Sequence, residues 1–584
     1  MKEWAHEGKE DVPQGPVTVA IENLEGKLLR LRQGEITNDE FRPSRTILGV
    51  YGQRQPEEYM VRVRIPYGGL TSQQMLTLAR IATDYGDGKA HVTTRQNIQL
   101  PWLKLDKVPE ILWRLAQAGL TTLQAGGNSV RTVAACPLAG VCPKEAFDVT
   151  SYAKALDTYF LGREDVMHLP RKFKAAFSGC PTDCAYSAIQ DFGAVAKVRS
   201  DNGAVHRGFQ VVVGGSLGVY PRLAQPLEEF VAEEDLLPTC EAVVRVFDRL
   251  GDRSNKQKAR LKFVLQRLGI EEFRRLVRLE RESLRAQASR YPPPSHLTNG
   301  SAPHQAMEQA ITEPPGAFDY QRWLRWNVLP EGRDGYYTVL IPLPLGDVTA
   351  RQMEAVADLV DRISGATFRS SQQQDLVLRG VFQRDLREVF EALRAFEMAD
   401  TRASGIADVV SCPGTYACSL GITASKAVAR QLAQMMQAYQ DDEALGSLRI
   451  KVSGCPDACG QHYLADIGLH GCAVHSGGRL YPAYQLLLGG HVAEGITQLA
   501  QPVVKLPARK VPQAVEQVLE HYRSNRLHEE TFFAFVQRVG LEVFRERLAE
   551  LAQVPPPSKD IWNFIDWDST RMYILERGEG ECAV

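Results

Sequence analysis

The sequence predicts an internally duplicated α+β protein, each half a small α+β sandwich followed by a cysteine-bearing α/β module. Three observations lead there. The same motifs recur in the same order in both halves of the 584-residue chain. Within each half, strand-like runs alternate with runs of helical periodicity. Each half then carries one C-x5-C and one C-x3-C pair.

The repeat comes first because it decides the fold. RVRIPYGGLTSQQM from Arg62 matches LIPLPLGDVTARQM from Leu340. Thr71, Gln74 and Met75 fall on Thr349, Gln352 and Met353, Pro66 on Pro344, and Gly68 on Gly346. VTTRQNIQL from Val92 meets RSSQQQDLVL from Arg369, and ACPLAGVC meets SCPGTYAC. SGCPTDCAYSAIQDFG meets SGCPDACGQHYLADIG, and GFQVVVGG meets AYQLLLGG. An offset that barely drifts through so many motifs marks a duplication, not two unrelated domains of similar composition.

In the first copy a strand, YMVRVRIP, precedes the helical run SQQMLTLARIATDYG. A second strand, HVTTRQNIQLPWL, precedes the helix VPEILWRLAQAGL. Two strands alternating with two helices give a small sandwich. The Ser-, Pro- and Ala-rich stretch from about Arg281 to Gly316 reads as the linker between the copies. The residues before about Phe41 match neither copy and are expected to wrap the surface.

Bulk composition narrows the function. A formal net charge of -2 gives no basic field for nucleic acid. No apolar run is long enough to predict a membrane span. MKEWAHEGKEDVPQG lacks the apolar core of a signal peptide, so a cytoplasmic location is the expectation. Eight of the eleven cysteines are clustered, which in a reducing compartment points to metal or redox chemistry and away from disulfides.

Those eight are Cys412, Cys418, Cys455 and Cys459 in the second copy, and Cys136, Cys142, Cys180 and Cys184 in the first. Four soft thiolates suit a cubane iron–sulfur cluster. The x3 spacing predicts two thiolates one turn apart at a helix N-terminus, where backbone N–H groups favour a negative cluster. Zinc is the competing reading; it admits C-x3-C, but C-x5-C is not a typical zinc pair. Cys240 and Cys472 read as buried thiols, and Cys582 as part of an exposed terminus.

The first copy is also rich in cations. Arg62 and Arg64 alternate with valine and so share a strand face. Arg95 lies in TTRQNIQ, Arg131 in NSVRTVAACP, and Arg171, Lys172 and Lys174 in LPRKFK. Their counterparts in the second copy are Pro342 for Arg64, Gln373 for Arg95, Ala407 for Arg131 and Ser447 for Lys172. Only Lys174 meets another cation, Arg449. Cations confined to one copy indicate a single anion-binding centre between quasi-symmetric halves.

The motifs YGQRQ, RVRIPYGG, TTRQNIQ, SVRTVAACPLAG, LPRKFK, C-x5-C and SGCPDACG together resemble the nitrite/sulfite reductase family, which couples siroheme to a [4Fe-4S] cluster. The resemblance runs from about Phe41 to Asp568. It implies a pseudo-two-fold nitrite/sulfite reductase fold with ferredoxin-like half-domains and two siroheme/[4Fe-4S]-binding α/β modules. The implied division is an N-terminal segment 1–45, a half-domain 46–125, a module 126–280, the linker 281–316, a half-domain 317–400, a module 401–568 and a tail 569–584.

By that resemblance Cys412, Cys418, Cys455 and Cys459 ligate the catalytic cluster, and Cys459 bridges to the siroheme iron. Arg64, Arg131, Lys172 and Lys174 surround the substrate, while Thr93, Thr94, Arg95, Gln99 and Arg171 bind siroheme carboxylates. Cys136, Cys142, Cys180 and Cys184 are candidates for a second cluster. The implied reaction is six-electron reduction of sulfite to sulfide, with nitrite to ammonia as the alternative. In sulfite-reducing members both basic positions of LPRKFK tend to be Lys, and in nitrite-reducing members the second is typically Asn, so Lys174 points to sulfite. The reading from another class is a non-catalytic iron–sulfur electron-transfer protein. Neither GGSLG nor GGHVAEG fits a dinucleotide fingerprint, so electrons must come from a separate donor, by resemblance ferredoxin.

Overall fold

The computed structural model describes residues 12–201, 203–285, 318–493, 495–578 and 581. Each half-domain opens with an antiparallel pair, Val50–Gly52 with Tyr59–Val63 and Val328–Pro330 with Tyr336–Ile341. A helix follows in each, Ser72–Tyr85 and Ala350–Arg362. Both begin with a capping box, which explains the repeated T-x-x-Q. Thr71 and Thr349 side chains accept from the N–H groups of Gln74 and Gln352, whose amides reach back to the cap. Met75 and Met353 are fully buried one position later.

The expected second strand is two strands. HVTTRQNIQLPWL folds as a hairpin of Lys89–Val92 and Ile98–Leu103, with TTRQN as its tip. Thr93 makes the turn: its hydroxyl accepts from the N–H groups of Arg95 and Asn97, and Gln96 adopts a positive φ of 62°. The second copy repeats this with Ser371 and Gln374, at φ 72°.

Each five-stranded half-domain sheet takes its last strand from the other copy. Asp347–Thr349 of the second copy pairs with Lys89–Val92 of the first, and Gly69–Leu70 of the first pairs with Thr367–Ser370 of the second. Two glycines permit the approach. A Cβ on Gly68 (φ +76°) would stand 2.4 Å from the Ser370 carbonyl oxygen, and one on Gly346 (φ +74°) 2.9 Å from that of Val92. Two buried glutamines fasten the exchange. Gln96 Nε2 donates to the Ser370 carbonyl at 2.9 Å while its Oε1 accepts from Ala135 N–H at 3.0 Å. Gln374 Nε2 donates to the Val92 carbonyl at 2.9 Å while its Oε1 accepts from Ser411 N–H at 2.9 Å. Each side chain thus ties the other copy's hairpin to the strand leading into its own copy's first cysteine.

Both cysteine-bearing modules are five-stranded mixed sheets. In the first, Ala134–Ala135, Ala175–Ser178 and Phe192–Asp201 run parallel, followed by antiparallel Ala204–Val213 and Gln225–Ala232. In the second, Val410–Ser411, Ile450–Ser453 and Ile467–Ser476 are followed by Arg479–Leu488 and Gln501–Pro507. The N-terminal helix Pro16–Arg32 buries Ile21, Leu24 and Leu28 in the core of the paired half-domains. The C-terminal tail runs along the residues that follow the second-copy C-x5-C pair. Tyr573 OH donates to the Ile422 carbonyl at 2.9 Å, Gly578 N–H to that of Ser419 at 2.9 Å, and the Glu581 carboxylate meets Arg45 and Gly52 N–H. The helix Ile270–Arg285 occupies the start of the expected linker. The rest of that linker and Cys582 lie outside the described residues. Among the described residues no helix is long and apolar enough to cross a membrane.

Gln374→Leu keeps the volume but removes the amide's bonds, leaving the buried Val92 carbonyl and Ser411 N–H unsatisfied. A loss of about 2–4 kcal/mol is expected, read as a lower urea midpoint; a midpoint within error of the parent would refute the fastening role.

Candidate active site

Neighbouring parallel strands set the cysteine loops side by side. Cys136 follows Ala134–Ala135 and Cys412 follows Val410–Ser411, while the C-x3-C pairs follow Ala175–Ser178 and Ile450–Ser453. Both pairs of each module therefore sit at the carboxyl edge of its sheet, where open α/β sheets place their ligands. The expected helix N-terminus at C-x3-C is absent. Both segments are turns, with Asp183 and Tyr186 in one and Ala458 and Gln461 in the other at positive φ. The chain reverses too sharply there for a helix to start.

The four second-copy sulfurs interact with one another: Cys412 acts on Cys418, Cys455 and Cys459, and Cys418 acts on Cys459. Burial pushes the Cys418 thiol up to about 11 and raises that of Cys455 further. Gly454 N–H donates to Cys412 Sγ at 3.1 Å. Among the described residues no three His, Cys, Asp or Glu side chains gather tightly enough to hold a single metal ion. A cubane, whose four ligands surround a cluster of irons and sulfides, suits these two pairs better than one zinc ion does.

The hairpin tip of the first copy is bonded to the C-x3-C turn of the second. Thr94 Oγ1 donates to the Cys459 carbonyl at 2.8 Å, and Gln461 Nε2 donates to the Thr94 carbonyl at 3.1 Å. This contact brings first-copy cations to second-copy cysteines. Lys174 is pushed well below its usual pKa by desolvation and then by Arg95, Lys172 and Arg260, with Cys459 opposing the shift. Desolvation, then Arg131, brings Arg95 down to about 9. Cys459 is pushed up to about 12, by desolvation and then by Cys412, while Lys172 pulls it down. Yet Cys459 is exposed, and Arg95, Lys172 and Lys174 are half-exposed. These cations and the exposed Cys459 thus act on one another where solvent still reaches them. Four cysteines of one copy beside a group of cations from the other fit a [4Fe-4S] cluster and a polycarboxylate macrocycle.

Two groups outside the sequence-derived set hold this ring in place. Asp191, fully buried, pairs with Arg260 at 2.7 Å and accepts from Lys174 N–H at 2.9 Å. Gln190 Oε1 accepts from Arg95 Nη1 at 2.6 Å, while Arg95 Nη2 donates to the Thr132 carbonyl at 2.7 Å. In the second copy Asp466 takes the place of Asp191, but Thr531 stands before the following helix where Arg260 stands in the first. The Arg449 guanidinium lies 3.5 Å from Asp466. Arg260 thus occupies the carboxylate that would otherwise draw Lys174 away. The cue was available in the sequence: Arg260, like the other cations, is not repeated.

Arg64, expected beside the substrate, is 2% exposed and pairs with Asp157 at 2.6 Å, while its buried Nε and Nη1 have no hydrogen-bond partner among the described residues. The alternation with valine holds: Val61 and Val63 enter the half-domain core, and the arginines turn toward the module. It is Arg62 that shares the Ala125 carbonyl with Arg131, at 3.2 and 2.8 Å. Gln99 lies directly across from Arg62 and His91 in the same sheet. Arg171 approaches Asn128 Oδ1 at 3.5 Å. Thr93 is committed to its own turn, as described above.

Four cysteines of one copy set beside cations of the other, in a duplicated chain, define a metal-centred oxidoreductase for a small anion. The chain belongs to the nitrite and sulphite reductase family. The nitrite and sulphite reductase 4Fe-4S domain matches residues 126–284 and 402–555. The nitrite/sulfite reductase ferredoxin-like half domain matches residues 51–118 and 330–396. The assimilatory ferredoxin-dependent nitrite reductase of Haloferax mediterranei is 29% identical over 85% of this chain and 85% of its own. The sulfite reductase [ferredoxin] of Mycobacterium tuberculosis is 29% identical over 74% of each chain. The solved structure of the Mycobacterium tuberculosis NirA protein superposes with a TM-score of 0.75 at 26% identity, covering 92% of this chain and 97% of that one.

The two strand arginines should separate on substitution. Arg64→Gln strands a buried Asp157 and should cost about 3–5 kcal/mol of stability. Arg62→Gln should change stability by less than about 1 kcal/mol while weakening anion inhibition. Denaturant midpoints and inhibition constants for a non-reducible oxyanion measure both, and equal destabilisation would remove the distinction.

Proposed function

We propose that the protein reduces sulfite to sulfide by six electrons, with a siroheme coupled through Cys459 to a [4Fe-4S] cluster on Cys412, Cys418, Cys455 and Cys459. The observation that carries the reading is Lys174 set among Lys172, Arg95 and Arg260 and facing Cys459. When bound, the siroheme and the cluster would supply the electrons one at a time. The chain's own residues do the rest. Arg95 and Arg131 are fixed donors that hold and polarise an oxyanion. Lys172 and Lys174 add charge, and Lys174, with its proton loosened by burial and by its neighbours, is suited to give that proton to a departing oxygen.

Charge separates the two substrates. Sulfite near neutrality is in large part a dianion and gains more from each cation than nitrite, a monoanion. Nitrite reduction is the second reading, favoured by the likeness to the Haloferax nitrite reductase. Both relatives' names specify ferredoxin, and a one-electron iron–sulfur carrier is the donor we assign here.

Lys174→Asn should lower kcat/KM for sulfite several-fold more than for nitrite; an unchanged ratio in steady-state assays would end the selection role. Cys459→Ser should retain the fold but lose sulfide and ammonia production together, and parent-like turnover would move the reaction centre elsewhere.

A further inference from the structure

The first-copy cysteines are not needed for the centre at Cys459, yet they are assembled as a second site. The four thiols act on one another electrostatically: Cys184 on Cys136, and Cys142 with Cys180, Cys184 and Cys136. The backbone register repeats that of the second copy. Cys136 N–H donates to the Phe177 carbonyl at 2.9 Å and Cys412 N–H to that of Val452 at 3.2 Å. Cys142 and Cys418 donate in the same way to Leu138 and Gly414, at 3.0 and 2.9 Å.

An independent observation concerns charge. Two arginines of the second-copy half-domain are buried against this site, 6% and 8% exposed. Arg369 donates to the Cys136 carbonyl at 3.3 Å and to Thr150 Oγ1 at 2.9 Å. Arg379 donates to the Ala139 carbonyl at 2.7 Å, and its buried Nε has no partner. Among the described residues neither guanidinium forms an ion pair. Glu145 is close, but its carboxylate accepts from Gly140 N–H at 2.9 Å, and Asp148 accepts from Thr150 N–H at 2.8 Å. Burial lowers the pKa of both guanidinium groups, and Asp148, joined at Arg379 by Glu331 and Glu145, offsets that cost only in part. A cubane on four thiolates carries a net negative charge and would add to that compensation. The positions that correspond in the first copy are His91 and Pro101, so this pair of charges is not a repeated structural feature.

We propose that Cys136, Cys142, Cys180 and Cys184 bind a second [4Fe-4S] cluster, stabilised by Arg369 and Arg379 and carrying no tetrapyrrole of its own. Where the Cys459 side is open, the Cys184 side is filled. Tyr186, 4% exposed, bonds to Gln373 through its hydroxyl, and Lys451 lies 5.0 Å over its ring while donating to Gln461 at 3.2 Å. The cations of the first site have no counterparts here except Arg449, which turns to Asp466.

The test is quantification of iron, acid-labile sulfide and siroheme in the anaerobically purified full chain, with alkylation of the native protein. About eight cluster irons and eight sulfides per chain, one siroheme, and Cys142 and Cys184 protected until a chelator strips the iron are expected. Cys142→Ser with Cys180→Ser should then halve the cluster iron and leave the siroheme absorbance intact. Four cluster irons with Cys142 and Cys184 alkylated, or one zinc ion in place of the second set, would overturn the proposal. Two sirohemes per chain would overturn its tetrapyrrole-free form. The iron count reads this site separately from the substrate proposed for Cys459.

Discussion

The exchange of one edge strand between the copies is the constraint on which everything else rests. Because Asp347–Thr349 pairs with Lys89–Val92 and Gly69–Leu70 with Thr367–Ser370, the halves cannot shift relative to each other without breaking two sheets. Gln96 and Gln374 carry that rigidity into the strands that deliver Cys136 and Cys412. The hairpin tip of one copy is thereby held against the C-x3-C turn of the other, and the site at Cys459 is built from elements far apart in sequence.

Symmetry supplies the frame, and its breaking supplies the chemistry. Asp191 and Asp466 hold the same backbone N–H in their modules, but only Asp191 has an arginine partner from the segment before the following helix. With that one replacement Lys174 is left among the cations beside Cys459, and Arg449 pairs with its aspartate. On the opposite diagonal Arg369 and Arg379 take the positions of His91 and Pro101. Each cysteine set thus receives its positive charge largely from the other copy.

The duplication, the cysteine pairs and most of the cation ring were legible in the sequence because they are local strings at a nearly constant offset. The strand exchange was not: GDVT reads as a cap before a helix, and nothing in its composition records that its backbone completes a sheet in the other half. The hairpin tip TTRQN was hidden inside an apolar alternation that reads as one strand, since a positive φ at Gln96 has no glycine to announce it. Periodicity put Arg62 and Arg64 on one face but could not tell which would meet Asp157, a residue of a helix some ninety positions downstream. Arg260 was missed for lack of a motif, although the comparison between copies that singled out Arg95 and Lys172 applies equally to it.

The tail beyond the second module ties distant parts of the chain to one another. Tyr573 and Gly578 bond to Ile422 and Ser419, just past Cys418, and Glu581 bonds to Arg45 and to Gly52 N–H. The same short stretch therefore touches the second-copy cysteine segment at one end and the helix Asn38–Ile47 with the first strand of the first copy at the other. A disturbance at either end, the loss of the Arg45 ion pair or a shift of the segment after Cys418, is passed to the other through a strap that belongs to neither repeat.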